Sequence, residues 1–589
     1  MVFGVYDYEN ESDLVMRDNV LIKISIVVGM FVIWNSLFAQ IQPSKGENTS
    51  VLSNAVRFSG DIGSDFELYS ISGRERRRPP ASARLYINTN FEIFKTVTLS
   101  ANAFISNEGN SLNGSTRQNL NRYELNPTWS WGSAHIGDFS KSYSQFTLNG
   151  IQVRGGELSL YPGIFRFSIL GGQVQRAIFS SNSLKSYDRN IYGGKIGIGK
   201  EESSFFDLLF LRAADDRSSI KQEAIDTTSS VDSTDYSEQV YRLGTTPKEN
   251  MVVSAISKVS MLDKKIIWKG EFSGSVYTRD LNASKLNQQD ALAKIPKFVQ
   301  NIYTPRTSSN VDIAFTTELY LSIKNISTQL GYKYIGPGYV SLGLASLLND
   351  NQNIYFKTSM RRKEWSINFN GYHQNDNLIN QKTYTTTRNN LGSAITLKPL
   401  KRLNSSFNVN YSNMQNNSSN SSAKIDYSNW RFGTNHVYSQ GWDHLINNIV
   451  LNYMFQTSGD KYPRRFASKF KTHSLNLNIS INATTKISVT PSINFINTRN
   501  PIYGWQLTSI YSIGARYNAL RNKWISSFTI AYTDVDQVNT WQGRFHSTYR
   551  LTKVLSIKLM IRSMNYRSTK STISDFNEYS SRLGITYRL

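Results

Sequence analysis

The stretch LSIKLMIR at Leu555–Arg562 alternates large apolar side chains with polar or charged ones. A period of two residues places successive side chains on opposite faces of an extended strand. One face of this strand therefore meets apolar surroundings, and the other face meets polar ones. The apolar face consists of Leu555, Ile557, Leu559 and Ile561, and the polar face includes Ser556, Lys558 and Arg562.

The same alternation recurs through the C-terminal part of the chain. Further examples are Leu475–Asn482, Ile487–Phe495, Trp541–Leu551 and Tyr579–Leu589. Tight turns alternate with longer polar links, as in outer-membrane barrels, where one rim faces the periplasm and the other faces the outside. The predicted turns are Lys398–Arg402, Thr484–Lys486, Ala519–Asn522 and Thr552–Lys553. The predicted longer links are Met414–Lys424, Ser458–Thr472, Asp534–Thr540 and Tyr566–Glu578.

Carried to the N-terminus, this pattern predicts an all-β fold, a single large antiparallel transmembrane β-barrel over residues 55–589. We expect about 26 strands, within a range of roughly 22–28, joined by short periplasmic turns and long outer loops. The candidate strands include 120–131, 134–142 and 146–160, whereas Gly336–Gln352 is assigned to one outer loop. A soluble basic β-sandwich also alternates and is the alternative fold.

An export signal is predicted at the N-terminus. Residues 21–38, LIKISIVVGMFVIWNSLF, form the only long apolar run, with basic residues near its start and Ala39-Gln40 after it. This order predicts a signal peptide over residues 1–39, with Met16 as an alternative start, and a short periplasmic segment over 40–54. A transmembrane anchor is the other interpretation, because the run approaches the length of about 18 residues that a spanning helix needs.

The composition favours an exported protein that does not bind nucleic acid. The formal net charge is +23, the mean hydropathy is −0.40 and cysteine is absent. The lack of cysteine excludes disulfides, thiolate metal sites and lipid anchoring through a cysteine. Lys and Arg are scattered along the strands, whereas nucleic-acid-binding proteins cluster them. A basic balance of this kind also suits anionic lipid or an anion-attracting pore.

Three outer links are unusually long, namely Ala214–Lys248, Asp280–Ser308 and Gly336–Gln352. Long loops in large barrels often fold inward or cover the mouth. The first of these links is rich in carboxylates, so a basic lumen would attract it. The equally acceptable alternative is that this link does not enter the lumen and is a solvated loop.

Several phrases carry a family resemblance. They are Arg77–Pro80 followed by ARLYIN, NPTWSWGSAHIGDFSKSYSQFTLNGIQVRGG at 126–156, TPKEN at 246–250, YTRDLNA at 277–283, YKYIGPGYVSLG at 332–343 and QNDNLINQK at 374–382. The chain thus resembles a large, poorly characterised family of Bacteroidota outer-membrane barrels, over nearly the whole predicted mature chain. The resemblance implies fold and location but no chemistry. A TonB-dependent receptor carries a plug domain before its barrel, and because alternation begins by Val56 we do not expect such a receptor.

No enzyme signature is present. The six histidines match no HExxH or GxSxG pattern, and CxxC is impossible without cysteine. An enzyme at the outer rim would use His373 with Asp376, or His473 with Asp460, but each lies in ordinary polar sequence. We therefore expect no catalytic residues, no cofactor and no metal.

Basic residues are the candidate functional residues. Those on the polar faces of the last strands would make the lumen electropositive; they are Arg544, Arg550, Lys558, Arg562, Arg582 and Arg588. A concentrated run in the first outer loop consists of Arg74, Arg76, Arg77 and Arg78. This run either grips the phosphates of lipopolysaccharide or merely solvates the loop.

These features favour an outer-membrane channel, passive or loop-gated, that prefers anionic solutes. The alternative is a non-conducting scaffold within an outer-membrane secretion or assembly complex, because a barrel this wide must contain water, inserted loops or a partner. A barrel enzyme is the third hypothesis. The expected partners are outer-membrane lipid, lipopolysaccharide and the proteins of such a complex.

Overall fold

A computed structural model describes residues 56–108, 120–178, 186–220, 245–286, 303–441, 445–462, 468–569 and 574–589. The predicted signal peptide and the segment 40–54 lie outside the described residues. Most of the acidic link between 214 and 248 also lies outside them. Within the described ranges, no helix is long and apolar enough to cross a membrane.

Every named element in the described ranges is a β-strand. The first ten are β1 (Val56–Ser72), β2 (Ala81–Ile93), β3 (Val97–Ser106), β4 (Arg122–Trp129), β5 (Gly132–Ser140), β6 (Gln152–Leu160), β7 (Phe165–Gln175), β8 (Asp188–Gly199), β9 (Phe205–Asp216) and β10 (Glu249–Met261). The next eight are β11 (Ile266–Thr278), β12 (Ser309–Ile323), β13 (Ile326–Ile335), β14 (Asn351–Arg361), β15 (Trp365–Asp376), β16 (Thr386–Leu400), β17 (Leu403–Asn416) and β18 (Asp426–Ser439). The last eight are β19 (Ile446–Asp460), β20 (Phe470–Asn482), β21 (Ile487–Asn500), β22 (Gly504–Ala519), β23 (Trp524–Val535), β24 (Val538–Arg550), β25 (Leu555–Ser568) and β26 (Phe576–Arg588).

Pairing between the first and last strands closes the sheet. Neighbours in sequence pair antiparallel, and β1 pairs with β26 from Asp61 opposite Arg588 to Ser72 opposite Asn577. The result is one closed barrel of 26 strands, which leaves no sheet edge with unpaired backbone groups. The predicted fold class and strand number are confirmed, and the alternative of a soluble sandwich is wrong.

The chain divides into two compact units. Residues 58–90 and 97–589 form the unit that contains the barrel described below. The described residues of the other unit are 56–57 and 91–96. In this second unit the turn after Ile93 has positive φ angles of 49° at Phe94 and 56° at Lys95, and the Thr96 amide donates to the Ile93 carbonyl at 3.0 Å.

The two faces of the barrel wall differ in chemistry. Phe528, Phe545 and Ile561 lie opposite one another on β23, β24 and β25 and share one face with Leu583 of β26. Phe528, Ile561 and Leu583 are 43–45% exposed although they are large and apolar. Polar residues occupy the other face of the same strands. A contiguous exposed apolar surface of this size requires an apolar environment.

The long links lie at one rim of the barrel, which we call the long-link rim, and the tight turns lie at the other, the short-turn rim. One predicted long link is wrong. Between β23 and β24 the chain turns through only Asp536 and Gln537, with φ angles of 21° and 68°. Val535 pairs directly with Val538, so the residues predicted as a link extend the two strands. A two-residue turn with positive φ matches the twist of antiparallel strands. Because the segment is polar, its sequence resembled a long link, and the turn was not predicted.

The predicted strand 146–160 is also wrong in its first part. β6 begins only at Gln152, and residues 141–151 leave the wall. The alternation of Phe146 and Leu148 imitates a strand, but both side chains are completely buried. By contrast, the segment assigned to an outer loop between β13 and β14 is confirmed as a link, because β13 ends at Ile335 and β14 begins at Asn351.

The outward face gives a test of the barrel in a bilayer. Ile513 on β22 is outward-facing and 52% exposed, whereas its neighbour Ser512 faces inward beside Ser492. We expect Ile513→Arg to lower the free energy of unfolding by about 2–4 kcal/mol near the bilayer centre. Ser512→Arg is the matched control and should cost less than about 1 kcal/mol. Equal losses in urea titrations of the liposome-inserted protein would contradict this assignment of faces.

Candidate functional site in the barrel interior

Two links fold against the barrel wall and meet each other. We call them loop 5–6, residues 141–151, and loop 13–14, residues 336–350. The Asn149 amide donates to the Gly343 carbonyl at 3.0 Å, and the Ala345 amide donates to the Asn149 carbonyl at 3.3 Å. The two loops come from strands that are far apart around the barrel. They can therefore meet only on its inner face, and this contact identifies that face.

An apolar cluster holds both loops to the wall. Phe146, Leu148 and Tyr339 from the loops are each at most 1% exposed. They pack with inward-facing residues of the wall, namely Phe139, Val153, Leu170, Val174, Ile191, Leu211, Ala213, Val252, Ala314 and Ile335. Burial of this apolar surface is the main stabilisation of the docked loops, at about 25 cal/mol per Å² of surface removed from water.

Hydrogen bonds fix the register of the loops on the wall. The Thr147 hydroxyl lies 2.7 Å from the Ser254 hydroxyl, which in turn lies 2.7 Å from the Ser273 hydroxyl. The Asn250 side chain donates to the Val340 carbonyl at 2.9 Å and accepts from the Leu342 amide at 3.0 Å. Because these wall residues are buried, losing a loop partner would leave polar groups unpaired, which costs about 1–3 kcal/mol each.

Tyr339 joins the two loops. Its hydroxyl donates to the Phe146 carbonyl at 3.0 Å, and the two rings are in edge contact with centroids 6.1 Å apart. Burial raises the pKa of Tyr339, so the hydroxyl stays protonated and remains a donor. The sequence placed Tyr339 in the correct link, but nothing in its local pattern indicated this contact.

A second polar cluster ties loop 5–6 to β6 and β7. The Lys141 ammonium lies 2.9 Å from the Glu157 carboxylate, and the Tyr143 hydroxyl lies 2.7 Å from the Ser168 hydroxyl. Ser168 also donates to Glu157 at 3.0 Å. The Glu157 side chain is fully buried, so these partners offset its desolvation. The cluster therefore acts as a second anchor for loop 5–6.

The histidines of the described residues do not form a catalytic constellation. His135 contacts the Glu124 carboxylate through Nδ1 at 2.9 Å, and its Nε2 lies 3.4 Å from the Asn126 amide and 4.0 Å from the Glu157 carboxylate. His436 does bond the Ser405 hydroxyl at 2.9 Å, but it lies beside Phe407 on the outward face. Neither histidine therefore bonds both a carboxylate and a hydroxyl group, as the base of a catalytic triad does.

The histidine pairings considered from sequence are not formed either. His373 bonds the Asn389 side chain at 2.7 Å and His473 bonds the Tyr453 hydroxyl at 3.0 Å. No group of three or more His, Cys, Asp or Glu residues in the described ranges could hold a metal ion.

The wall of β14–β25 is different from the part covered by the loops. Its inward-facing charged residues are mostly basic, and nearly all of these cations are exposed. The cations include Lys357, Arg361, Arg388, Arg431, Arg516, Arg544, Arg550, Lys558 and Arg562, of which Arg388 is half-buried. None of them forms an ion pair with a carboxylate of the described residues. The ion pairs of the inner face use other cations, such as Arg166 with Asp207 and Arg582 with Glu67.

Two of these cations lie directly opposite each other. Arg544 on β24 pairs in register with Arg562 on β25, and the next residues across the sheet on either side are Thr529 and Ser580. Like charges directly opposite on a sheet destabilise it, because no counter-charge offsets their repulsion. A passing anion would relieve this repulsion.

Of the remaining predicted lumen residues, two lie on the cationic wall and two lie near carboxylates. Arg550 and Lys558 are exposed on the cationic wall. Arg582 contacts Glu67 of β1, and Arg588 lies opposite Asp61. Sequence reasoning missed these carboxylates because it followed parity only in the C-terminal strands. Applied further, the same rule would have found Lys357, Arg388, Arg431 and Arg516.

The basic run of the first outer loop contacts residues of the inner face. Arg77 contacts Glu578 and Arg78 contacts Glu67, each at 3.4 Å. The Arg77 guanidinium also lies 5.5 Å from the ring of Phe576, and Arg74 lies 6.0 Å from it. Glu67, Phe576 and Glu578 are inward-facing, so this part of the run borders the mouth of the barrel. Lipopolysaccharide binding by the run Arg74, Arg76, Arg77 and Arg78 stays a prediction.

No protein-family model and no curated protein matches the chain. The ferric enterobactin receptor of Pseudomonas aeruginosa is similar at 8% identity and a TM-score of 0.39, over 90% of this chain and 80% of that chain. The FrpB iron transporter of Neisseria meningitidis is similar at 10% identity and a TM-score of 0.37, over 92% and 83% of the chains. An anion-selective porin from Comamonas acidovorans is similar at 9% identity and a TM-score of 0.26, over 58% and 90%. At these values the likenesses say nothing about cargo.

The shared packing of the two loops can be tested by hydrogen exchange. We expect Phe146→Ala to weaken docking by about 3–5 kcal/mol, because it empties a fully buried site. Amide exchange should then accelerate by roughly 100-fold or more in both loop 5–6 and loop 13–14. Ile379→Ala, at a 49% exposed site in the β15–β16 link, is the control and should leave both unchanged. If amide exchange accelerated only in loop 5–6, the two loops would not stabilise each other on the wall.

Proposed function

We propose that this chain is a bacterial outer-membrane barrel through which anionic solutes pass, without energy coupling. The observation that carries the proposal is the cationic wall of β14–β25, which the two inner loops leave uncovered. The apolar outward face supports insertion in a membrane. The predicted signal peptide supports export, although it lies outside the described residues.

The cationic wall would act by lowering the energy of an anion inside the barrel. The cations are distributed from Arg388, near the long-link rim, to Arg550, near the short-turn rim. An anion therefore meets positive charge along the whole passage, and no single site holds it tightly. Low affinity combined with repeated sites permits both entry and exit. No enzyme activity forms part of this proposal.

The docked loops support gating in place of a fully open pore. Loop 5–6 and loop 13–14 cover the inner wall along β5–β13, and Lys141 and Asn250 anchor them there. Their displacement would widen the passage next to the cationic wall. The first loop is held by an apolar cluster and by two polar anchors, so displacement requires loss of several contacts together.

The same loops also favour a second function. A non-conducting scaffold in an outer-membrane secretion or assembly complex would use folded-in loops as a permanent filling. The buried polar contacts around Asn250 and Glu157 suit such a filling, because they would be costly to open. Conductance separates the two functions.

Ion selectivity tests the channel. We expect the purified protein in a planar bilayer to give steps whose reversal potential in a salt gradient indicates anion preference. Arg544→Glu with Arg562→Glu should lower the anion-to-cation permeability ratio by roughly threefold or more, because two attractive charges become repulsive. The change should shrink in about 1 M salt, where the screening length is about 3 Å.

The matched control reverses the same number of positive charges at another place in the barrel. Lys401→Glu with Arg402→Glu lies in the β16–β17 turn, outside the cationic wall. Its permeability ratio should stay close to that of the unmodified protein. An equal shift in both doubles would mean that net charge, and not the wall, sets selectivity. A folded protein that never conducts would contradict the channel and favour the scaffold function.

Displacement of the loops should change the size of the passage. We expect Phe146→Ala with Tyr339→Ala to raise the single-channel conductance or the open fraction, because both buried rings of the loop contact are lost. Leu348→Ala, which truncates a 64% exposed side chain in loop 13–14, is the control. Unchanged steps in a double variant whose loops exchange rapidly would show that the loops do not gate the passage.

A further inference from the structure

The outward face carries a basic site at the long-link rim. Across β17–β22 one lateral row of outward-facing residues reads Tyr411, Trp430, Thr457, Lys471, Arg499 and Trp505. Lys471 and Arg499 are in direct register, and both are exposed. Two cations thus lie side by side in a row that also contains a tyrosine and two tryptophans. Their position near the strand ends places them at the edge of the apolar band.

No carboxylate of the described residues pairs with Lys471 or Arg499. The Arg499 guanidinium has the Trp505 ring as its neighbour, 6.0 Å away. Other outward-facing arginines at this rim are neutralised. Arg154 contacts Asp138 through two hydrogen bonds of 2.8 and 2.9 Å, and Arg212 contacts Glu249 at 2.6 and 2.9 Å. The Lys471–Arg499 pair therefore lacks a counter-charge that its equivalents possess.

A cavity of about 610 Å³ adjoins this pair. Trp430, Lys471 and Arg499 line it together with residues of the adjoining links. Lys461 on its border is neutralised by Asp426 at 2.6 Å. Asp460 also lines it, but this carboxylate is buried and accepts hydrogen bonds from the amides of Asp426 and Tyr462. The cavity is therefore open to an anion on the side of Lys471 and Arg499.

Towards the short-turn rim, the next outward row places His473 and Asn497 directly below the pair and large apolar side chains on either side of them. The next outward row contains Val409, Phe432, Phe455, His473, Asn497 and Leu507. The Phe432 and Phe455 rings stack at 6.3 Å, and Leu507 is 51% exposed. A ligand that fits both rows has an anionic head at Lys471 and Arg499 and acyl chains along the aromatic and aliphatic side chains.

We infer that Lys471 and Arg499 bind the phosphorylated headgroup of a membrane glycolipid in the leaflet at the long-link rim. The Arg guanidinium can hold two phosphate oxygens at once, and the ammonium adds a second positive charge. The stacked Phe432 and Phe455 rings and the exposed Leu507 side chain in the next row favour a lipid over a phosphate ion from solution. The inference rests on the membrane location in the proposed function but not on transport. It also differs from the Arg74–Arg78 run, whose contacts lie on the inner face.

Lipid retention by the full-length barrel tests the site. The protein is exchanged against phosphatidylcholine vesicles that contain either a bisphosphorylated glycolipid or the same glycolipid without phosphates, and bound lipid is counted by native mass spectrometry. We expect the phosphorylated form to be retained and the other form to be lost. Lys471→Ala with Arg499→Ala should reduce retention at least about tenfold, because both charge-assisted contacts disappear. Lys471→Arg with Arg499→Lys should preserve it.

The control has the same loss of charge. Arg567→Ala with Lys363→Ala removes one cation beside Asp575 at the long-link rim and one in the β14–β15 turn. This double variant should retain the lipid, and heat-modifiable migration on a gel shows that each variant is folded. Equal retention by the Lys471/Arg499 double would overturn the inference. So would equal retention of the unphosphorylated glycolipid.

Inorganic phosphate separates the two sources of the anion. If millimolar phosphate occupied the site in the absence of glycolipid and displaced bound glycolipid, the site would be a free-anion site and the inference would fail. Phosphate should not displace the glycolipid if the acyl chains contribute to its binding. Each of these results is independent of conductance, so a protein that does not conduct ions would not contradict the lipid site.

Discussion

The structure depends on one pairing, between β1 and β26. Asp61–Ser72 and Asn577–Arg588 are separated by almost the whole barrel in sequence, and their ladder closes the sheet. Because a membrane offers no water to an unpaired backbone group, an open sheet of this kind could not be accommodated there. Closure gives the wall two sides with different environments. Every later feature follows from which side a residue faces.

The inner side is divided into two parts by packing. Along β5–β13, the two loops bury apolar residues such as Val153 and Leu211 that would otherwise line a wet passage. Along β14–β25, most inward-facing Lys and Arg side chains are exposed, and they form no ion pair with a carboxylate of the described residues. A barrel of 26 strands is too wide for its own side chains to fill, so it requires either inserted chain or water. This chain combines the two, and that combination supports a loop-gated passage for anions.

The outward side is similarly uneven. Most outward-facing arginines at the long-link rim have a carboxylate within reach, as Arg154 has Asp138. Lys471 and Arg499 instead stand between Trp430 and Trp505. A cation pair without a counter-charge beside an apolar surface suits a ligand that is itself amphipathic. The two proposals therefore assign different partners to the inner and the outward basic residues, although the sequence presents both simply as scattered positive charge.

The sequence by itself determined the fold class, a strand number of about 26 and the faces of the C-terminal strand residues, since a two-residue period needs no knowledge of neighbours. It therefore placed Arg544 and Arg562 on the polar face and Gly336–Gln352 in one link. It could not place residues 141–151, because Phe146 and Leu148 alternate as a strand would. Only the tertiary structure decided that their apolar side chains pack on loop 13–14. It also decided which cations are neutralised, since contacts such as Arg582 with Glu67 join residues that closure alone brings together.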